Sequence, residues 1–121
     1  MPTPIYLNEK RYPMTLNDYQ KSAKETAIYP NDNNISYLAL AICGEAGELA
    51  DKVKKVLRDK QGQFRHSDIT AIALELGDVM WYASNLAHTL GFSLEDIARM
   101  NIAKIKDRVN RGTLHGSGDY R

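Results

Sequence analysis

Between Ser67 and Leu90 the chain is apolar on almost every side of a helix, and no other stretch limits the fold as much. Ile72, Leu76, Val79, Ala83, Leu86 and Leu90 recur as one helical stripe, while Leu74, Met80, Trp81 and Ala87 add apolar groups on other sides. A helix that is apolar all round must be covered by neighbours. The segment therefore predicts a central helix, capped by Ser67 or Asp68 and stopped at Gly91. A second helix is expected from about Ile35 to Leu57, entered from Asn33 or Asn34. Its narrow stripe is Leu38, Ile42, Ala46, Leu49, Val53 and Val56, and Gly44 and Gly47 lie inside it. Interior glycines weaken a helix by about 1 kcal/mol each, which points to something approaching this backbone closely. Thr15 with Asp18 opens a first helix from about Leu16 to Tyr29, and Ser93 with Asp96 opens a fourth. The fourth carries Ile97, Ile102, Ile105 and Val109 and ends before Gly112. Residues 1–14 hold three prolines and read as an arm, and residues 112–121 read as a flexible tail.

The expected architecture is all-α: one domain over residues 1–121, a four-helix bundle. Its second and third helices offer more apolar surface than four short helices of one chain can cover, so a homodimer or homotetramer is expected. A net charge of +1 gives no reason to expect nucleic-acid or membrane binding. No run reaches the roughly 18 apolar residues of a membrane span. The opening Met1-Pro2-Thr3-Pro4 does not resemble a secretory signal, and Cys43, the sole cysteine, cannot form an internal disulfide. The expected location is the cytoplasm.

Chemistry is carried by two pairs of acids. Glu45 and Glu48 lie three residues apart on the second helix, and Glu75 and Asp78 repeat the spacing on the third. One such pair is commonly a solvated face. The pair on the third helix differs, because so little else on that helix is polar and carboxylates are seldom buried without partners. Packed antiparallel, the two helices would bring four like charges together, which demands a cation. Hard divalent ions suit oxygen ligands, and Mg²⁺, with Mn²⁺ as a substitute, suits a few carboxylates plus substrate phosphates.

Basic groups fall on matching faces. Lys52 and Lys55 extend the acidic face of the second helix, while Asn101, Lys104 and Arg108 share a face of the fourth. Lysine and arginine there suit phosphate oxygens, arginine through its fork of donors. Tyr82, four residues after Asp78, brings a hydroxyl to the carboxylate face. No phosphate-binding Gly-x-x-x-x-Gly-Lys-Ser/Thr loop, zinc spacing or nucleophilic cysteine signature is present.

The run Gly44-Glu45-Ala46-Gly47-Glu48-Leu49, followed by Glu75-Leu76-Gly77-Asp78-Val79, resembles the Glu-x-x-Glu … Glu-x-x-Asp signature of the MazG-like nucleoside triphosphate pyrophosphohydrolases. Tyr19-Gln20 with Ala23 to Ala27 is similar to that family's first helix. Asn101-Ile102-Ala103-Lys104 with Arg108 is similar to its fourth, and Arg111-Gly112-Thr113 through Gly116-Ser117-Gly118-Asp119 with Arg121 to a tail in one branch. The resemblance implies a helical oligomer with Glu45, Glu48, Glu75 and Asp78 as metal ligands. It also implies cleavage of a nucleoside triphosphate between its α- and β-phosphates, in keeping with nucleotide-pool house-cleaning. The departure is Gly44, where many members carry a further glutamate. Rival expectations are a related enzyme specific for dUTP, dCTP or phosphoribosyl-ATP, and a non-catalytic helical oligomerisation module.

Overall fold

The computed structural model of the chain describes residues 13–30 and 34–120, and among these it is all-α, with four helices and no strand. They are α1 (Leu16–Glu25), α2 (Asn34–Asp59), α3 (His66–Thr89) and α4 (Leu94–Arg111). Most of the expected arm and the Asn33 cap lie outside the described residues.

Local chemistry sets the ends. Thr15 Oγ1 accepts from the Asp18 N–H at 3.1 Å while the Asp18 carboxylate accepts from the Thr15 N–H at 2.9 Å. Ser93 and Asp96 repeat this reciprocal cap at 3.0 and 3.2 Å. For α3 the expected cap is corrected: Arg65 is the capping position, and Asp68 sits three residues on, accepting the Arg65 N–H at 2.9 Å. Helix α1 also ends earlier than expected, at Glu25. Thr26 follows it, its hydroxyl donating to the Ala23 carbonyl at 3.1 Å and accepting from the Trp81 indole N–H at 2.9 Å. The chain beyond is drawn away so that Tyr29 can stack on Tyr37, with ring centroids 5.9 Å apart, and meet Trp81 edge-on at 6.3 Å.

Helices α2 and α3 pack together along their length. The turn between them closes with Gln61 at φ 53° and Gly62 at φ 75°, left-handed positions that glycine adopts freely. Contacts pair Lys60 with Asp68, Lys52 with Glu75 and Glu45 with the Glu75–Asp78 pair, so the helices run antiparallel. Helix α1 packs on α3 and α4, and α4 also packs on α3; among the described residues α4 makes no contact with α2. Gln20 joins these parts. Its amide donates to the Phe92 carbonyl at 3.0 Å and its oxygen accepts from the Leu94 N–H at 2.9 Å, which ties α1 to the turn between α3 and α4.

Helix α3 is central, as expected, yet it is not enclosed. Ala23, Leu38, Val56 and Ala87 are the buried apolar residues among those described, while Leu40, Leu57, Leu74, Leu76 and Met80 are exposed. Of the expected α2 stripe, Leu38 and Val56 are buried, Ile42, Leu49 and Val53 are half-buried, and Ala46 lies outside. The stripe of α4 is also largely exposed, with Ile102, Ile105 and Val109 open to solvent. The expected close approach to Gly44 and Gly47 is not made among the described residues, where nothing lies within 4 Å of where their Cβ atoms would stand.

Candidate metal centre

The antiparallel pairing of α2 and α3 sets Glu45 opposite Glu75 and Asp78. One carboxylate oxygen from each of these three residues lies within 4.8 Å of the others. Glu45 and Glu75 are half-buried and Asp78 is exposed. The carboxylates on α3 are thus less enclosed than the apolar character of that helix suggests, because its own apolar neighbours are uncovered. Glu48 is exposed and stands outside the trio. Three residues along a helix turn the side chain by about 300°, so only part of an i, i+3 pair need face a given neighbour. The charge of Glu48 still bears on Glu45.

Electrostatics register the crowding. Burial pushes the Glu45 carboxyl above its ordinary value, and the charges of Asp78, Glu75 and Glu48 push it further. Lys52 answers part of this charge from about two turns along α2, with its Nζ 3.3 Å from Glu75 Oε1. Tyr82 stands beside the trio: burial raises its phenol pKa, with added contributions from Tyr37, Glu45 and Asp78. Tyr19 is raised by burial and then by Asp78, which brings a residue of α1 to the same face. The Trp81 and Tyr82 rings meet edge-on at 4.9 Å, so the aromatic group formed by Tyr29, Tyr37, Trp81 and Tyr82 borders the carboxylates directly. The sequence alone does not join these tyrosines to the acids, because the link depends on the bend after Thr26.

The remaining expected residues are dispersed. Lys55 pairs with Asp51 at 2.6 Å and, with Lys52, Lys60 and Asp68, lines a cavity of about 270 Å³ between α2 and α3. Lys104 and Arg108 form a second cluster with Asp119 from the tail, each 3.1 Å from Asp119 Oδ1. Asn101 is exposed and lines a cavity of about 490 Å³ with Lys104, Asp119 and Tyr120. The tail expected to be flexible is seen folded back on α4 through these contacts.

Three carboxylates from two helices, crowded enough to raise one of them and partly answered by a lysine, form an oxygen donor set suited to a hard divalent cation. Comparison with known proteins agrees. Residues 33–113 match the model of the MazG nucleotide pyrophosphohydrolase domain. The chain belongs to that family. The match spans α2, α3 and α4, and so includes every acidic residue of the trio, Glu48, Lys104 and Arg108. This MazG-family chain is also 42% identical to the gene 37 protein of Mycobacterium phage L5, over 89% of its own length and all of the relative's. No solved structure gave a significant match. Among the described residues, no helix is long and apolar enough to cross a membrane.

Proposed function

We propose that the protein hydrolyses nucleoside triphosphates to the monophosphate and pyrophosphate, in the cytoplasm, with Mg²⁺ as its cofactor. The observation that carries this reading is the convergence of Glu45, Glu75 and Asp78 within 4.8 Å, inside a segment that matches the MazG domain. These three would hold the cation, with Glu48 as a fourth acid at the rim. When bound, the ion supplies neutralisation of phosphate charge and activation of water. The chain's own groups do the rest. Glu45 or Glu48 would accept the proton of an attacking water. Lys52, already at the edge of the trio, exchanges Glu75 for a phosphate oxygen, with Lys55 one turn beyond. Tyr82 donates its hydroxyl to substrate, and Asn101, Lys104 and Arg108 bind the outer phosphates. A pool-cleansing role fits such an activity, and variants of it directed at dUTP, dCTP or phosphoribosyl-ATP would share all of this chemistry and differ in the pocket for the base.

The exposed apolar residues support a homodimer or homotetramer. Leu40 is 73% exposed and Leu57 60% exposed on α2, with Leu74, Leu76 and Met80 on α3. Four buried apolar residues among those described are a thin core for a helical domain, and a second copy laid on α2–α3 would cover these leucines. Gly44 and Gly47, open on the same helix, leave room for that approach.

The test is release of pyrophosphate from a panel of nucleoside and deoxynucleoside triphosphates with and without Mg²⁺. Mg²⁺-dependent formation of monophosphate and pyrophosphate in equal amounts is expected. Release of orthophosphate, or no turnover by the folded oligomer on any member of the panel, would overturn the reading. The second of these results would favour the non-catalytic oligomerisation module.

A further inference from the structure

Arg108 is 4% exposed, yet its charge is met by the surface tail. Its Nη2 donates to the Gly118 carbonyl at 3.2 Å and to Asp119 Oδ1 at 3.1 Å. The same Asp119 oxygen accepts from Lys104 Nζ at 3.1 Å. The Arg108 Nε is buried and has no hydrogen-bond partner among the described residues. The guanidinium fork is therefore half used: one edge nitrogen holds a single carboxylate oxygen while its neighbour goes unpaired. Leaving a buried charged donor unsatisfied is costly. A group with more oxygens and more charge than a carboxylate would engage the fork through two nitrogens.

The two sides of this contact differ in how firmly they are held. Arg108 is fixed in the packed face of α4, whereas the Asp119 side chain is 73% exposed. The tail reaches it through turns. Gly112, at φ 70°, closes α4, with the Gly112 and Thr113 N–H groups donating to the Val109 and Arg108 carbonyls, and Gly118 at φ 77° turns Asp119 inward. Exposed ion pairs contribute little, so the carboxylate is the partner that exchanges.

We propose that Asp119 is an internal stand-in for phosphate, which occupies the Lys104–Arg108 pair in the resting protein and is displaced when a polyphosphate binds there. The inference rests on the reading that these two cations receive substrate phosphates, and it gives that site a built-in competitor. The tail then opposes binding until the incoming anion outbids a single carboxylate, which favours the tri- and diphosphate over weaker anions.

The experiment measures binding of inorganic tripolyphosphate to the full chain without divalent metal, by calorimetry, in wild type, Asp119→Asn and Asp119→Ser, with helical content checked for each. The expected result is about fivefold tighter binding in both variants, the scale of removing one solvent-exposed carboxylate from the pair. Asp107→Asn removes a charge from the same helix where it pairs with Arg111 instead, and it should give a smaller gain. Lys104→Gln placed on Asp119→Asn should abolish the gain. Binding in the Asp119 variants that is unchanged or weaker, or a gain matched by Asp107→Asn, overturns the proposal; weaker binding would make the tail a lid over the anion. This assay needs no turnover, so a protein that releases no pyrophosphate fails the functional reading alone. An active enzyme with unchanged binding in Asp119→Asn fails only the competitor.

Discussion

On the α2–α3 face three carboxylates, Glu45, Glu75 and Asp78, gather beside one lysine, whereas on the second half of α4 two cations, Lys104 and Arg108, share one carboxylate oxygen of Asp119. The first cluster has charge left over that calls for a cation, and the second has charge left over that calls for an anion. At the α2–α3 turn, by contrast, Lys60 and Asp68 are matched one to one. A balanced pair is sufficient explanation of itself as part of the fold. Unbalanced clusters of opposite sign are what the proposed metal–polyphosphate ligand would need, and on that proposal their imbalance separates groups placed for a ligand from those placed for stability.

The largest effect should come from cancelling a charge in the acidic cluster. Asp78→Asn is expected to reduce Mg²⁺-dependent turnover by more than about 10²-fold, since losing even an outer partner of a metal ligand costs 10- to 100-fold. Without metal the same variant should melt at the wild-type temperature or above it, because one of three mutually repelling carboxylates is gone. Paired activity and melting measurements check both halves. A variant that melts lower without metal would mean that Asp78 serves the fold, and the contrast between the two clusters would collapse.

Lys52 probes the same cluster from the other side, with a smaller effect. It lies 3.3 Å from Glu75 and is partly exposed, so Lys52→Ala should lower metal-free stability by about 1 kcal/mol or less. Removing the resident cation leaves more negative charge for the metal to neutralise. The rise in melting temperature on adding Mg²⁺ should therefore be larger in Lys52→Ala than in wild type. An equal or smaller rise would show that Lys52 does not share the task of neutralising the trio.

How far the chain could be read in advance follows the range of the interactions involved. The caps at Thr15–Asp18 and Ser93–Asp96 and the stop at Gly112 were legible because each is completed within a few residues. The acidic pairs were legible for the same reason. The convergence of Glu45 with Glu75 and Asp78, and the absence of Glu48 from that group, were not. They depend on how α2 is rotated against α3, and an i, i+3 spacing does not encode rotation. Gln20 was noticed only as part of a resemblance. Its work as a buried amide holding α1 to Phe92 and Leu94 spans more than seventy residues of sequence. Asp119 was visible only as one residue of a glycine-containing tail, since its value comes from the fold-back onto Arg108. The apolar run of α3 correctly announced a central helix but overstated its enclosure, because a sequence pattern does not say whether cover comes from the same chain.

The smallest effect belongs to the balanced pair, which serves as the control for the other two. Asp68 accepts from Lys60 Nζ and from the Arg65 N–H, and both interactions favour its charged form, the lysine contact more strongly. They hold its carboxyl below the ordinary aspartate value of 3.8. For a group whose native pKa is depressed, the stabilisation is complete above the unfolded value and is lost as pH falls through the native one. Asp68→Asn keeps an acceptor for the Arg65 N–H and removes only the charge. The melting temperatures of variant and wild type should therefore differ most near neutral pH and converge once the pH drops below 3.8 toward the native pKa. Mg²⁺ should leave this gap unchanged, because Lys60 and Asp68 already neutralise one another and have no charge to offer a ligand. A gap that stays constant into acid would assign the contact to packing of the lysine stem. A gap that closes when Mg²⁺ is added at neutral pH would place Asp68 among the metal-sensitive groups, and local charge balance would then no longer distinguish structural pairs from ligand-binding ones in this protein.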